Sequence, residues 1–402
     1  MMKSFAGRSG RSLRASLATA ACALLLAGTA SAQAPAASGA AATAPQLQQE
    51  SATLDFFRKT EVSGFVDTYY TYNFNKPAQP CATVAGVAVS NCLYNFNVAH
   101  DSFSLNLAEL ALEKKPTSDS RGGFRVDFDY GPTTAIVHGA EPGGTTTYQH
   151  IQQAYVSYLA PVGSGLQLDF GKFVTWNGNE VIETKDNWNY SRSLLFSWAI
   201  PYYHTGMRAA YAINGKVSVT GFLVNGWNNA VDNNTGKTVG GQLMYKPKAN
   251  LMLMTNYTGG PEQNNDNSDW RHLSDTIVTY TVNKQVSLAG NYDYGQDKVA
   301  GATVKWQGIA GNLKYQANDW FALTPRFEYY NDRNGFTTGL AQKVKEATVT
   351  LEFKHKDGVV MRLEYRGDFS DTPQFLKKAS EATKNQNTLA IGFIYAFSTK
   401  AQ

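Results

Sequence analysis

The sequence is poor in cysteine, poor in histidine and free of long apolar runs. It holds three cysteines, Cys22, Cys81 and Cys92. Its six histidines, His100, His138, His150, His204, His272 and His355, are scattered without ligand spacing. A zinc site has little to build on, so no metal and no cofactor is expected. Beyond the first thirty residues no stretch reaches the ~18 apolar residues that a helical membrane span needs. Any membrane location must therefore use strands.

A basic surplus is also missing once the first segment is removed. Lys3, Arg8, Arg11 and Arg14 precede an apolar run from Leu17 to Ala27, and Ala30-Ser31-Ala32 offers the small residues that a signal peptidase reads. Residues 1–32 thus read as a signal peptide, with Gln33 as the mature start. Thr19 stands where a lipoprotein signal at Cys22 would want an aliphatic residue, which disfavours a lipid anchor. Cleavage removes four basic residues and no acidic one, which brings the formal charge of +4 to zero. Nothing of the electrostatic footprint of a nucleic-acid binder remains. Residues 33–60 form an expected Ala/Pro-rich periplasmic linker, in which TLDFFRK at 53–59 fits either a helical turn or more linker.

What is present is alternation. Sixteen segments carry it, at 61–75, 101–115, 122–130, 149–159, 166–175, 202–213, 216–224, 237–246, 250–258, 271–282, 285–293, 303–316, 319–330, 344–354, 358–368 and 387–397. In the segment from Asp319 to Tyr330, Phe321, Leu323, Phe327 and Tyr329 fall on one face and Thr324, Arg326 and Glu328 on the other. The apolar faces are rich in Tyr and Phe, and the polar faces carry opposite charges. The connections alternate between short turns and long Asn-, Gly- and Asp-rich stretches, apart from one shorter junction near Gln296. The expected fold is all-β: a transmembrane antiparallel β-barrel of about 16 strands over 61–398, with short periplasmic turns, long external loops and a tail at 399–402. Closure is required because an open sheet in lipid would strand its edge N–H and C=O groups.

Local exceptions sharpen the expectation. Phe65 and Tyr69 sit on the polar face of the first strand. The second strand changes phase, which predicts a bulge near Ala108 or Glu109. Pro325 predicts a bulge or bend in mid-strand. Asn214-Gly215 predicts a type I′ hairpin turn with two positive φ angles.

The stretch from Gly171 to Tyr211, above all Glu183-Thr184, Asn189-Tyr190-Ser191-Arg192-Ser193, Leu195-Phe196, Pro201, His204, Gly206 and Arg208, resembles the putative β-barrel porin-2 (OmpL-like) outer-membrane proteins. Leu105 to Lys115, Gly122 to Gly131 and Gln152 to Pro161 add to the likeness. The resemblance implies a barrel in the outer membrane of a Gram-negative-type bacterium that passes small solutes, and it supplies no catalytic residues. The chain departs from the common pattern in ending with Ser398 to Gln402 after Phe397, although Leu389, Ile391, Phe393, Tyr395 and Phe397 keep the outward phase.

Three function classes follow. The leading one is passive diffusion of small hydrophilic solutes and ions through a water-filled lumen. Its wall is expected to include Asp67, Arg125, Asp127, Asp129, Asp169, Arg326, Glu328, Arg362, Glu364 and Arg366, whose charges either bind a ligand or merely solvate the lumen. The alternative is a surface receptor or adhesin that works through its external loops. An enzyme is disfavoured, because His100, Asp101 and Ser102 are consecutive and point to opposite faces. Expected partners are outer-membrane lipid and lipopolysaccharide, the barrel-assembly machinery and a possible homo-oligomer.

Two expectations concern the loops. Export to an oxidising compartment predicts a Cys81–Cys92 disulfide in the first external loop, with two free thiols or an intermolecular bond as the other states. The third long loop, from Trp176 to Pro201, is expected to fold into the lumen. Trp188, Tyr190, Leu194, Leu195, Phe196 and Trp198 would pack on the wall, while Glu180, Glu183, Lys185, Asp186 and Arg192 would face the pore. Glu180, Glu183 and Asp186 opposed by Arg192 and Arg208 are the expected selectivity residues. The same apolar set would also suit contact with a neighbouring barrel.

Overall fold

The computed structural model describes residues 54–139, 141, 149–378 and 381–400. The expected signal peptide and the linker as far as residue 53 lie outside them. Residues 54–59 are helical, and the turn is closed by Thr60, whose N–H donates to Phe56 O at 3.0 Å.

The strands in chain order are β1 (Glu61–Asn73), β2 (Ala82–Val84), β3 (Val87–Val89), β4 (Phe103–Lys114), β5 (Gly122–Tyr130), β6 (Ile151–Ala160), β7 (Leu166–Val174), β8 (Tyr203–Ala212), β9 (Val217–Val224) and β10 (Thr238–Lys248). They continue with β11 (Leu251–Pro261), β12 (Trp270–Thr281), β13 (Val286–Val299), β14 (Ala302–Asn318), β15 (Phe321–Asp332), β16 (Gln342–Lys354), β17 (Val359–Ser370), β18 (Phe375–Lys377), β19 (Glu381–Thr383) and β20 (Asn385–Ser398). Two hairpins, β2–β3 and β18–β19, belong to long loops. The other sixteen strands form one closed barrel, with β20 returning to β1. That last pairing runs from Ser63 opposite Ser398 to Asn73 opposite Thr388, so no barrel strand presents an open edge.

The outward face is an apolar band between two aromatic rims. Val349, Leu363 and Leu389 are exposed at mid-height. Tyr245, Tyr280 and Trp320 are exposed at the short-turn end, and Phe103, Tyr130, Trp270 and Phe369 at the long-loop end. This is the profile of a bilayer-facing wall with interfacial girdles. Among the described residues no helix is long and apolar enough to cross a membrane.

Four local expectations are corrected. The bulge lies at Asn106, since Asp67 pairs with Leu107 and Thr68 with Leu105. The apolar count placed it too late because it assigned Leu107 to lipid. Leu107 is fully buried on the inward side, and Asn106 spends its side chain on Asp67 at 2.7 Å.

Pro325 carries no bulge, and the ladder to β14 is interrupted around it, with pairs on either side at Asn312–Arg326 and Tyr315–Leu323 in the same register. Pro325 stays opposite Val349, and the only shift between β14 and β15 lies between Gln316 and Asn318. Neither Asn214 nor Gly215 has a positive φ. Four residues separate β8 from β9 there, and the Asn214 carboxamide oxygen accepts the N–H groups of Lys216 and Val217. Asn283 and Asn318 make the same side-chain turn. Two-residue turns with both φ positive are instead Ala85-Gly86 in the β2–β3 hairpin, at 46° and 84°, and Ala300-Gly301 in the barrel, at 49° and 79°, the latter because β13 runs on through Gln296 to Val299. Cys81 and Cys92 are joined in the first long loop, with Cα atoms 5.5 Å apart.

Candidate functional site

The connection from β7 to β8, residues 175–202, is folded into the barrel. It contains a 3₁₀ turn (Thr184–Asp186) and a π-helical turn (Leu195–Ala199). A chain inside a barrel must satisfy its own backbone groups, and here the barrel wall satisfies them.

Wall carboxylates take the loop's N–H groups. Glu364 accepts from Tyr190 at 2.6 Å and from Ser191 at 2.9 Å, Glu328 accepts from Leu194 at 2.8 Å, and Asp275 accepts from Gly178 at 2.9 Å. Wall arginines take its carbonyls: Arg326 reaches Ser191 O at 2.8 Å, Arg362 reaches Thr184 O at 2.7 Å, and Arg366 reaches Arg192 O at 2.7 Å. Asp67 receives the hydroxyls of Tyr190 and Thr184 at 2.8 and 2.6 Å. These are charge-assisted bonds, each worth roughly 1.5–3 kcal/mol. The mixed charges of β15 and β17 therefore neither solvate a lumen nor await a ligand, because the loop backbone is their partner.

Packing reinforces this pinning. Tyr190, Leu194, Leu195 and Phe196 are buried. Phe65 and Tyr69, the exceptions on the polar face of β1, are buried in the same cluster, and the Tyr69 ring lies 6.2 Å from that of Tyr190. Gly392 on β20 makes the approach possible, since a Cβ there would stand 2.3 Å from the Tyr190 ring.

The predicted selectivity residues divide into three groups. Arg192 does not face a pore. It is buried, and its guanidinium is spent on the carbonyls of Val181, Tyr190 and Ile182, with the Phe96 ring at 4.5 Å. Glu180 is likewise inside the packing, paired with Arg326 at 3.0 Å. Glu183 is buried against β4 and β5, and burial, with the Asp127 carboxylate adding to it, raises its pKa. Asp186 is exposed beside Lys185.

Arg208 lies outside the loop on β8. It pairs with Asp169 at 2.6 Å, between the rings of Tyr155 and Phe173. Asp67, Arg125, Asp127, Asp129, Asp169, Arg326, Glu328, Arg362, Glu364 and Arg366 all lie on the inward faces of their strands, and all but Arg125 are buried. His100, Asp101 and Ser102 do not touch one another: His100 accepts the Asn73 N–H, and Asp101 accepts the Tyr70 hydroxyl.

Sequence reasoning missed the neutral anchors. Asn189 donates to Thr350 at 2.7 Å, and Trp306 donates to Ala199 O at 3.0 Å. No pattern marks a single inward Thr or Trp as a loop partner, although Asn189 lay in the stretch that carried the resemblance.

Residues 59–397 match the family described as "Putative beta-barrel porin-2, OmpL-like". The chain belongs to this family. It is an outer-membrane porin, and its solved structural neighbours share the barrel. The anion-selective porin from Comamonas acidovorans is 11% identical with a TM-score of 0.57, the comparison covering 84% of this chain and 99% of that one. The outer membrane channel DcaP of Acinetobacter baumannii is 12% identical with a TM-score of 0.55, over 84% and 97%. The trimer form of in-vitro folded OmpT from Vibrio cholerae is 10% identical with a TM-score of 0.55, over 84% and 99%. No match was found among curated proteins.

The pinning can be tested directly. Glu364→Ala leaves two buried N–H groups of the porin's loop without an acceptor, at roughly 1–3 kcal/mol each. Trypsin is expected to cut the folded variant after Lys185 or Arg192 while sparing the native protein. Equal resistance of both would mean that Glu364 does not hold the loop.

Proposed function

We propose that small hydrophilic solutes and ions diffuse through the part of the lumen that the loop leaves free, and that this passage favours anions. The observation that carries the reading is which member of each lumen ion pair is wet. Arg125 is 28% exposed against 0% for Asp127, and Arg208 is 23% against 2% for Asp169. Lys314 and Lys354 are 16% and 43% exposed against 2% for Glu352. A solute meets the cation first, while the carboxylate behind it is neutralised and dry. In a narrow passage with low-dielectric walls such a bias acts strongly on ions. Asp186 and Glu180 of the inserted loop run the other way, each more exposed than its partner Lys185 or Arg326. Among the expected selectivity residues, Arg208 therefore contributes through its open face.

The reading carries outer-membrane lipid and lipopolysaccharide as the surroundings of the outward face, and the barrel-assembly machinery as the route there. A homo-oligomer is proposed as the working form, as the Vibrio cholerae neighbour was described in a trimer form.

The test is the reversal potential of the purified porin in a planar bilayer under a potassium chloride gradient. A potential of the sign set by chloride is expected, and Arg208→Glu should reduce it. A cation-selective pore would sink the selectivity reading. A protein that conducts no ions would sink the diffusion reading and leave the loops as the working part.

A further inference from the structure

Beyond β1 and β20 from the arginines of β17 and β15, β4 and β5 bring acids together. Glu109 and Asp129 are direct cross-strand partners, and Asp127 lies two residues from Asp129 on the same inward face. The inserted loop lays Glu183 over them. One carboxylate oxygen from each of Glu109, Asp127 and Glu183 lies within 4.8 Å of the others. All four side chains belong to buried residues, at 7%, 1%, 0% and 7% exposure for Glu109, Asp129, Asp127 and Glu183.

Like charges directly opposite on a sheet destabilise it, and a buried carboxylate needs donors or a counter-charge. Asp127 has both, from Arg125 at 2.9 Å and Gln153 at 2.6 Å. Glu109 Oε2 and both oxygens of Asp129 are left without a hydrogen-bond partner. The nearby cations are engaged elsewhere: Arg125 with Asp127 and Glu113, Lys185 with Asp186, and Lys172 with the His138 imidazole and the Tyr203 ring. Among the described residues, Glu109, Asp129 and Glu183 form no ion pair.

We propose that Glu109, Asp127 and Glu183 bind a calcium ion that ties the inserted loop to β4 and β5, with Asp129 adding its charge from the strand position opposite Glu109. The donor set is carboxylate oxygen throughout, which suits a hard cation. Calcium takes oxygens at about 2.3–2.6 Å, so two ligands of one ion stand at most about 5 Å apart, against about 4.2 Å for magnesium. The three oxygens lie within 4.8 Å of one another, inside the span that calcium bridges without movement of the strands. The ion would supply the counter-charge that the unpartnered oxygens lack. It would also tie Glu183 to β4 and β5 beside Thr184, whose carbonyl Arg362 of β17 already holds, since its ligands come from the wall and from the loop.

The site is tested by binding, so the outcome is independent of whether the barrel conducts. The full barrel, refolded in detergent free of lipopolysaccharide and stripped with a chelator, is titrated with calcium chloride in equilibrium dialysis against radioactive calcium. One saturable ion per chain is expected, with magnesium chloride competing poorly. Asp129→Asn/Glu183→Gln should weaken binding by at least about tenfold while keeping the heat-modifiable folded band. Glu109→Gln serves as the second variant with the same expectation, in case the double substitution prevents folding. Calcium should also slow tryptic cutting after Lys185 in the Glu364→Ala protein, and not when Glu109→Gln is combined with it. No saturable binding by the native protein would overturn the proposal. So would undiminished binding by the folded variants, which would put the ion elsewhere.

Discussion

Replacing residues 187–193 with a short glycine linker is expected to raise single-channel conductance by roughly twofold or more, because a barrel of sixteen strands without an insertion leaves an open aqueous channel. The segment fills space that nothing else occupies: Asn189, Tyr190, Ser191, Arg192 and Ser193 are all buried inside the barrel. The barrel itself should survive the exchange, since its ladders close without the loop from β1 round to β20. The cost falls on Glu364, Arg326, Arg362 and Arg366, which lose backbone partners. Water in the widened lumen can solvate them, and Arg362 keeps Glu352 at 2.7 Å while Arg366 keeps Asp368 at 2.8 Å. Unchanged conductance with a folded barrel would mean that current does not pass the inserted segment.

A substitution at Arg192 would be a poor probe of the constriction. Reversing that charge would remove the hydrogen bonds from its guanidinium to Val181, Tyr190 and Ile182. The loop would be disordered before any selectivity was read. Arg208, with an open face and a single carboxylate partner, is the position where a charge change reports on ions.

The strands were legible because lipid imposes a strict rule on one face of each. Leu389, Phe393, Tyr395 and Phe397 are exposed on the outward side of β20, and the alternation that places them can be counted directly. The rule fails where an inward residue is also apolar. Leu107, Phe65 and Tyr69 break the pattern because the lumen holds a folded loop, and a two-state count of lipid against water has no place for a third surface. Leu107 in this way displaced the expected bulge. Turn chemistry was legible in kind but not in length: Asn214 does form the turn, but through its side chain rather than through a positive φ.

In the loop, the apolar residues that would pack were recognisable as a set. The direction of each charge was not, because it depends on which backbone group comes within reach. Glu364 and Arg362 sit two residues apart on one strand, and one takes N–H groups while the other takes carbonyls. Only the path of the inserted chain decides that.

The membrane face gives a second large expected loss of stability. Val349 lies near the middle of β16, exposed on the outward side, opposite Pro325 on β15 and Tyr365 on β17. An arginine there would place a guanidinium near the bilayer midplane, too far from either rim to reach water without deforming the lipid. Val349→Arg is expected to cost ~2–4 kcal/mol, read as a lower urea midpoint for the refolded barrel in lipid vesicles.

The neighbouring inward position is not the right control. Thr348 is fully buried between Arg326 and Glu346, so an arginine there would collide with the pinned loop, and tolerance at Thr348 is not expected. Thr220 on β9 is the better comparison. It is partly exposed and pairs with Ala210 and Gln242 on the inward face, which leaves a guanidinium a route to lumen water. Thr220→Arg should shift the midpoint by less than about 1 kcal/mol. Equal losses at Val349 and Thr220 in vesicles would show that the two faces do not meet different solvents, and the outward band would then have to be buried against protein instead of lipid.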